Sequence, residues 1–172
     1  MMKRTIYLAG GCYWGAEKYL SCIAGVTETQ VGFANGRIEN PAYAQVKRGD
    51  TGHAETVRVV YEDSALPLDK LLRLFFRIID PTSFEKQGED AGNQYRTGVY
   101  WADAADEAVV REELDKLQSH YDAPLQVEAC PLECFYPAEE YHQKYLDKHP
   151  GGYCHVSWEE IDWVKTADLR DI

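Results

Sequence analysis

No stretch of the 172-residue sequence approaches the run of about 20 apolar residues that a membrane-spanning helix needs. Behind Met1-Met2-Lys3-Arg4 the apolar run is too short for a signal peptide, so a cytoplasmic protein is expected. Basic residues are scarce. Lys and Arg number 18 against 29 Asp and Glu, and the net charge of −11 sets aside nucleic-acid backbones and anionic membrane surfaces as partners. Neither an internal repeat nor a low-complexity linker divides the chain, and its length suits a single domain over 1–172 with a core of its own. Tight zinc-knuckle spacing is missing too. Cys130 and Cys134 form a Cys-x3-Cys pair with His142, His149, Cys154 and His155 downstream, without a second matching half, and no metal is expected. Five cysteines without an export signal suggest free, catalytic or transiently paired thiols rather than a disulfide framework.

Strand and helix patterns alternate along the chain. Strands are expected near 4–9, 26–33, 54–62 and 97–102, with a further one starting near Leu125. Val57, Val59 and Tyr61 alternate with polar residues at period two. Helices are expected over about 14–24, 69–79, 104–120 and 137–148, with loops over 34–52 and 82–96 and an irregular tail from about 150. The strand pair 26–33 and 54–62 lacks a helix between its members. The order β-α-β-β-α-β therefore predicts an α+β two-layer sandwich with a ferredoxin-like core, a mixed sheet and extra helices.

Cys12 stands between Gly11 and Tyr13-Trp14-Gly15, at the turn from the first strand into the first helix. There unpaired backbone N–H groups and the positive end of the helix dipole favour the thiolate, and flanking glycines allow close approach to the sulfur. A buried structural cysteine would have the same pattern. Glu55, at the end of Thr51-Gly52-His53-Ala54-Glu55, fits either a partly buried proton donor or a solvated carboxylate at a strand edge. Gln87 to Arg96 is rich in hydrogen-bonding groups and suits the polar wall of a site or a solvated loop. Tyr43 and Tyr95 fall in loops, where a phenol can bind a polar oxygen without adding charge or can simply pack. Cys154 lies in Gly151-Gly152-Tyr153-Cys154-His155, where mobile backbone suits a thiol that must travel to an oxidised sulfur.

Taken together, these segments resemble the peptide methionine sulfoxide reductases of the A type. The resemblance runs from about 6 to 156. It is carried by Gly11-Cys12-Tyr13-Trp14-Gly15, Asn40-Pro41-Ala42-Tyr43, Gly49 to Glu55, Asp80-Pro81-Thr82, Gln87 to Arg96, Ala138 to Leu146 and Gly152-Tyr153-Cys154. It implies a peptide-methionine (S)-S-oxide reductase in which Cys12 attacks the sulfoxide sulfur and Glu55 protonates the oxygen. It also implies that Tyr43 and Tyr95 bind that oxygen, that Asp90 orients the substrate, and that Gly11, Tyr13 and Trp14 border the S-methyl pocket. Methionine then leaves Cys12 as a sulfenic acid, which Cys154 resolves as a disulfide. An external dithiol, thioredoxin or dithiothreitol, restores the enzyme without a bound cofactor. Methionine sulfoxide, free or in proteins, is the implied substrate, and a monomer is expected. Cys130 and Cys134 stay open as alternative resolving thiols. With no cysteine after Cys154, a three-cysteine relay through a distal tail is not expected.

Overall fold

The computed structural model describes residues 2–172. In chain order the elements are β1 (Lys3–Ala9), α1 (Tyr13–Ser21), β2 (Val26–Ala34), α2 (Tyr43–Lys47), β3 (Ala54–Glu62), α3 (Leu68–Phe76), the two-residue strands β4 (Lys86–Gln87) and β5 (Asp90–Ala91), β6 (Gly98–Trp101), α4 (Asp106–Gln118), β7 (Glu128–Pro131), β8 (Phe135–Pro137), α5 (Tyr145–Lys148) and α6 (Trp158–Lys165). Six strands form one mixed sheet in the order β7-β6-β1-β3-β2-β8. Its central four are antiparallel neighbours in the ferredoxin-like order, and β7 adds parallel to β6. The α+β class expected from the sequence is the one observed.

Alternation decides which side chains face the helices. Ile6 and Leu8, Val31 and Phe33, Val57 and Val59, and Val99 and Trp101 point to one side, where α1 and α3 cover them. From α1 come Ala16, Tyr19 and Leu20. From α3 come Leu71, Leu72 and Phe75, the stripe its sequence predicts. Among the described residues no helix is long and apolar enough to cross a membrane.

On the opposite face Ala9, Ala34, Ala54 and Tyr100 form a smaller cluster with Cys130, Leu132 and Phe135. Here the chain passes from β7 at one edge of the sheet to β8 at the other. A flat sheet would separate those edges by roughly 24 Å, five spacings, whereas Pro131 to Phe135 reaches about 14 Å at most. The sheet therefore curls, and the crossing segment closes its small-residue face. Asn35, at a left-handed φ of 57°, clasps the crossing. Its Oδ1 accepts from Glu133 N at 2.7 Å, and its Nδ2 donates to the Pro131 carbonyl at 3.3 Å and to Cys130 Sγ at 3.6 Å.

Four local expectations differ from the structure. The helix expected over 137–148 is instead the end of β8, a 3-10 turn at Glu140–His142 and the short α5. The Gln143 side-chain amide accepts from Val31 N and donates to the Val31 and Ala138 carbonyls, drawing this segment onto β2 in place of a helical ladder. The tail is not irregular throughout. Ser157 caps α6 by accepting from Glu160 N, and Ile161 and Val164 are buried. The loop over 34–52 contains α2, and the strand expected from Leu125 begins at Glu128.

Candidate active site

Cys12 occupies the N-cap of α1 and is 8 % exposed. Glu55 is the second residue of β3. Its parity with Val57 and Val59 sends it to the helix-covered face, where it is 1 % exposed and reaches the first turn of α1. There Oε1 accepts from Tyr13 N at 3.2 Å, while the buried Oε2 has no hydrogen-bond partner among the described residues. Burial pushes the Glu55 carboxyl up to about 8, with the Tyr13 N–H opposing and the charge of Asp90 reinforcing the shift. At neutral pH the acid is mostly protonated, with an oxygen free to donate.

The Cys12 thiol differs from its sequence expectation. Burial raises its pKa strongly and the charge of Glu55 adds to this, while the Trp14 backbone N–H pulls the other way. The helix N-terminus is present, but desolvation and a carboxylate outweigh it. With the site empty of any other molecule's charge, Cys12 therefore holds its proton.

Tyr43 begins α2 and Tyr95 ends the 3-10 turn Asn93–Tyr95. Burial raises both phenols, Tyr43 to about 12, and each also feels the charges of Glu55, Cys12 and Asp90. The two hydroxyls adjoin each other, so α2, β3, the polar loop and the start of α1 converge on one site. Asp90, on β5, accepts from the Tyr153 hydroxyl at 2.8 Å. Gln87 holds the loop shut by bonding to Asp80 N, the Asp80 carbonyl and the Thr97 hydroxyl. His53 is unavailable as a base, because Nδ1 accepts from Gly36 N and Nε2 donates to the Ile38 carbonyl.

Aromatic rings build the apolar wall. Tyr13 is buried against Phe33, Tyr43 and His142. Trp14 stacks on Tyr145 with centroids 3.7 Å apart, and its Nε1 donates to His142 Nδ1 at 3.2 Å. Burial lowers the His142 pKa, which keeps the neutral ring that can accept this bond. Glu17, 2 % exposed on α1, secures the segment that supplies His142 and Tyr145. It accepts from the Thr29 hydroxyl at 2.9 Å and from Lys144 N at 2.8 Å.

Cys154 comes to the same helix start. Its Sγ lies 3.1 Å from the point a Cβ on Gly15 would occupy, and it donates to the Val156 carbonyl at 3.1 Å. Burial raises this thiol as well. Gly11, with φ +77°, is closed over by Gln87 and His155. The glycines around Cys12 thus admit the chain's own tail. Cys130 and Cys134 lie around Asn35 and Gly36, in or beside the smaller cluster on the other face of the sheet. Among the described residues no group of three or more His, Cys, Asp and Glu is placed to hold a metal.

Sequence reasoning singled out Cys12, Glu55, Tyr43, Tyr95, Asp90, Tyr13, Trp14 and Cys154, and the structure gathers them at the start of α1. The sequence assigns no role to Glu17, Tyr145 or Tyr153, and weighs His142 only as a metal-ligand candidate. The one signal for Glu17 was a carboxylate set among Ala16, Tyr19 and Leu20. The others gain their partners only through the tertiary fold.

The sequence model of the family described as "Peptide methionine sulfoxide reductase" matches residues 4–169. A relative named "Peptide methionine sulfoxide reductase MsrA" from Lachnoclostridium phytofermentans is 55 % identical over 166 residues, covering 96 % of this chain and 100 % of the relative. Among solved structures, reduced Mxr1 of Saccharomyces cerevisiae superposes with a TM-score of 0.85 at 36 % identity, covering 90 % of this chain and 91 % of that one. Methionine sulfoxide reductase A of Corynebacterium diphtheriae gives a TM-score of 0.82 at 38 % identity, over 88 % of this chain and 77 % of that one.

Proposed function

Because this chain belongs to the peptide methionine sulfoxide reductase family, of the A type, we propose that it reduces the S epimer of methionine sulfoxide, free or in proteins, through Cys12 and Glu55. The observation that carries this reading is the buried Glu55 carboxyl, raised to about 8 and with one oxygen unpartnered, beside the Cys12 thiol.

The sulfoxide oxygen takes its proton from Glu55, with the Tyr43 and Tyr95 hydroxyls donating to it. Its S-methyl group lies against Tyr13 and Trp14. Protonation makes the sulfoxide sulfur cationic, and that charge offsets the desolvation that holds the proton on Cys12. As Cys12 gives its proton to the newly formed Glu55 carboxylate, its sulfur bonds to the sulfoxide sulfur. The hydroxyl then passes to Cys12 as the S–S bond breaks. The products are a thioether and a Cys12 sulfenic acid, and Glu55 ends the step protonated. Cys154 condenses with the sulfenic acid to a disulfide, releasing water, and an external dithiol, thioredoxin by analogy with the family, reduces it. Asp90 acts through Tyr153 to hold the tail beside the site. A cytoplasmic monomer with no bound cofactor belongs to the same proposal.

The test is reduction of each epimer by wild type, Cys12→Ser and Cys154→Ser, with dithiothreitol or thioredoxin as reductant. The expected result is no turnover in Cys12→Ser, and one methionine formed per enzyme in Cys154→Ser under thioredoxin. Full thioredoxin-driven turnover without Cys154 would move resolution to Cys130 or Cys134. Reduction of the R epimer alone would overturn the assignment.

A further inference from the structure

His155 takes no part in the mechanism above, although its ring is packed into the site. Nδ1 and Nε2 are both buried without a hydrogen-bond partner among the described residues, a costly state for imidazole. The ring fits because two glycines leave room for it. Nε2 lies 3.0 Å from where a Gly11 Cβ would be, and Nδ1 lies 3.1 Å from the corresponding point at Gly15. Cys154 Sγ is also 3.1 Å from that Gly15 point, so the ring and the neighbouring thiol both pack on the start of α1.

Burial lowers the pKa of the His155 ring, with Asp90 and the Gly10 backbone opposing, which keeps the ring neutral and one of its nitrogens able to accept a proton. Cys154 needs such a neighbour. Its thiol donates to the Val156 carbonyl, and burial disfavours its thiolate more than the Val156 backbone favours it, yet the thiolate is the form that attacks a sulfenic acid.

We propose that the His155 ring accepts the Cys154 thiol proton as Cys154 attacks the Cys12 sulfenic acid, and returns it to the hydroxyl that departs as water. The Cys154 S–H and Cys12 S–O bonds break and the S–S bond forms. The Cys154 sulfur is oxidised, the Cys12 sulfur is reduced, and no outside oxidant enters. The proposal rests on Cys154 being the resolving thiol.

A single-turnover experiment on the full chain separates the two steps. Methionine release reports the first, and loss of dimedone-reactive Cys12 sulfenic acid reports the second. In His155→Gln the second rate should fall at least tenfold more than the first, and in His155→Ala added imidazole should restore part of it. Equal slowing of both steps, or no rescue by imidazole, would overturn the proposal. Cys154→Ser is run alongside. A disulfide to Cys12 still forming in that variant would fail the Cys154 reading itself, a result distinct from failure of the His155 role.

Discussion

Burial acts on Cys12 and Glu55 in the same sense, keeping both protonated until a substrate supplies positive charge. The expected pH dependence follows from Glu55. Single-turnover methionine release should decline as pH rises through about 8, where the carboxyl ionises. Glu55→Gln should lose on the order of 100-fold in rate and lose that decline as well. Stability moves the same way. A folded-state pKa of about 8 lies above the ordinary carboxyl value of 4.5, so the contribution is fully present below 4.5 and lost as pH rises through about 8. Glu55→Gln should therefore gain stability relative to wild type between pH 5 and pH 9, by at most about 4 kcal/mol, read from urea unfolding at the two pH values. A constant difference would place the Glu55 pKa near its ordinary value. The sequence exposed the thiol, the acid and the phenols but not the state of the thiol. The helix start beside Cys12 is visible in the chain, whereas Glu55 comes to it from a distant strand only when the sheet forms.

At the level of elements, strands β1, β2, β3 and β6 and helices α1, α3 and α4 were readable because local pattern and tertiary burial agree. The region after β7 was not. There Gln143 replaces a helical ladder with bonds to β2, and Lys144 turns left-handed at φ 53° to start α5. The signal for α6 is present in Ser157 three residues before Glu160, with Ile161 and Val164 behind, although the glycine-rich start of the tail reads as irregular. The Glu17 clasp makes α5 part of the site. Lys144 donates through N and pairs through Nζ at 3.5 Å, and its Nζ also donates to the Thr29 hydroxyl. Glu17→Ala should cost about 2 kcal/mol, below the figure for a fully buried pair because Lys144 is partly exposed. It should also raise KM for methionine sulfoxide more than it lowers kcat, since Tyr145 and His142 support Trp14. Denaturant unfolding and steady-state kinetics measure the two effects, and an unchanged KM would show that α5 does not shape the pocket.

Over the whole molecule, the six-stranded order reads in the sequence only as far as its ferredoxin-like centre. The outer strands are short, and the curl that joins them depends on Asn35, whose four side-chain bonds to the crossing are all long-range. Asn35→Gly should lose those bonds at a cost of about 2 kcal/mol while keeping the left-handed backbone without strain. Asn35→Ala should cost about 1 kcal/mol more, because alanine pays for the positive φ as well. Urea midpoints of the two variants decide it, and equal midpoints would mean that the left-handed turn is not what asparagine serves there.

The same outer strands bear on the company this enzyme keeps. Oxidised proteins lose packing, and their loosened strands seek any sheet with an open side. Here that side is offered only briefly, by four residues ending in Pro131 at one margin and three ending in Pro137 at the other. A strand that is short and stopped by proline is a poor template for β-aggregation. The site lies at one end of the sheet, and the sheet's margins give a loosened chain little to join.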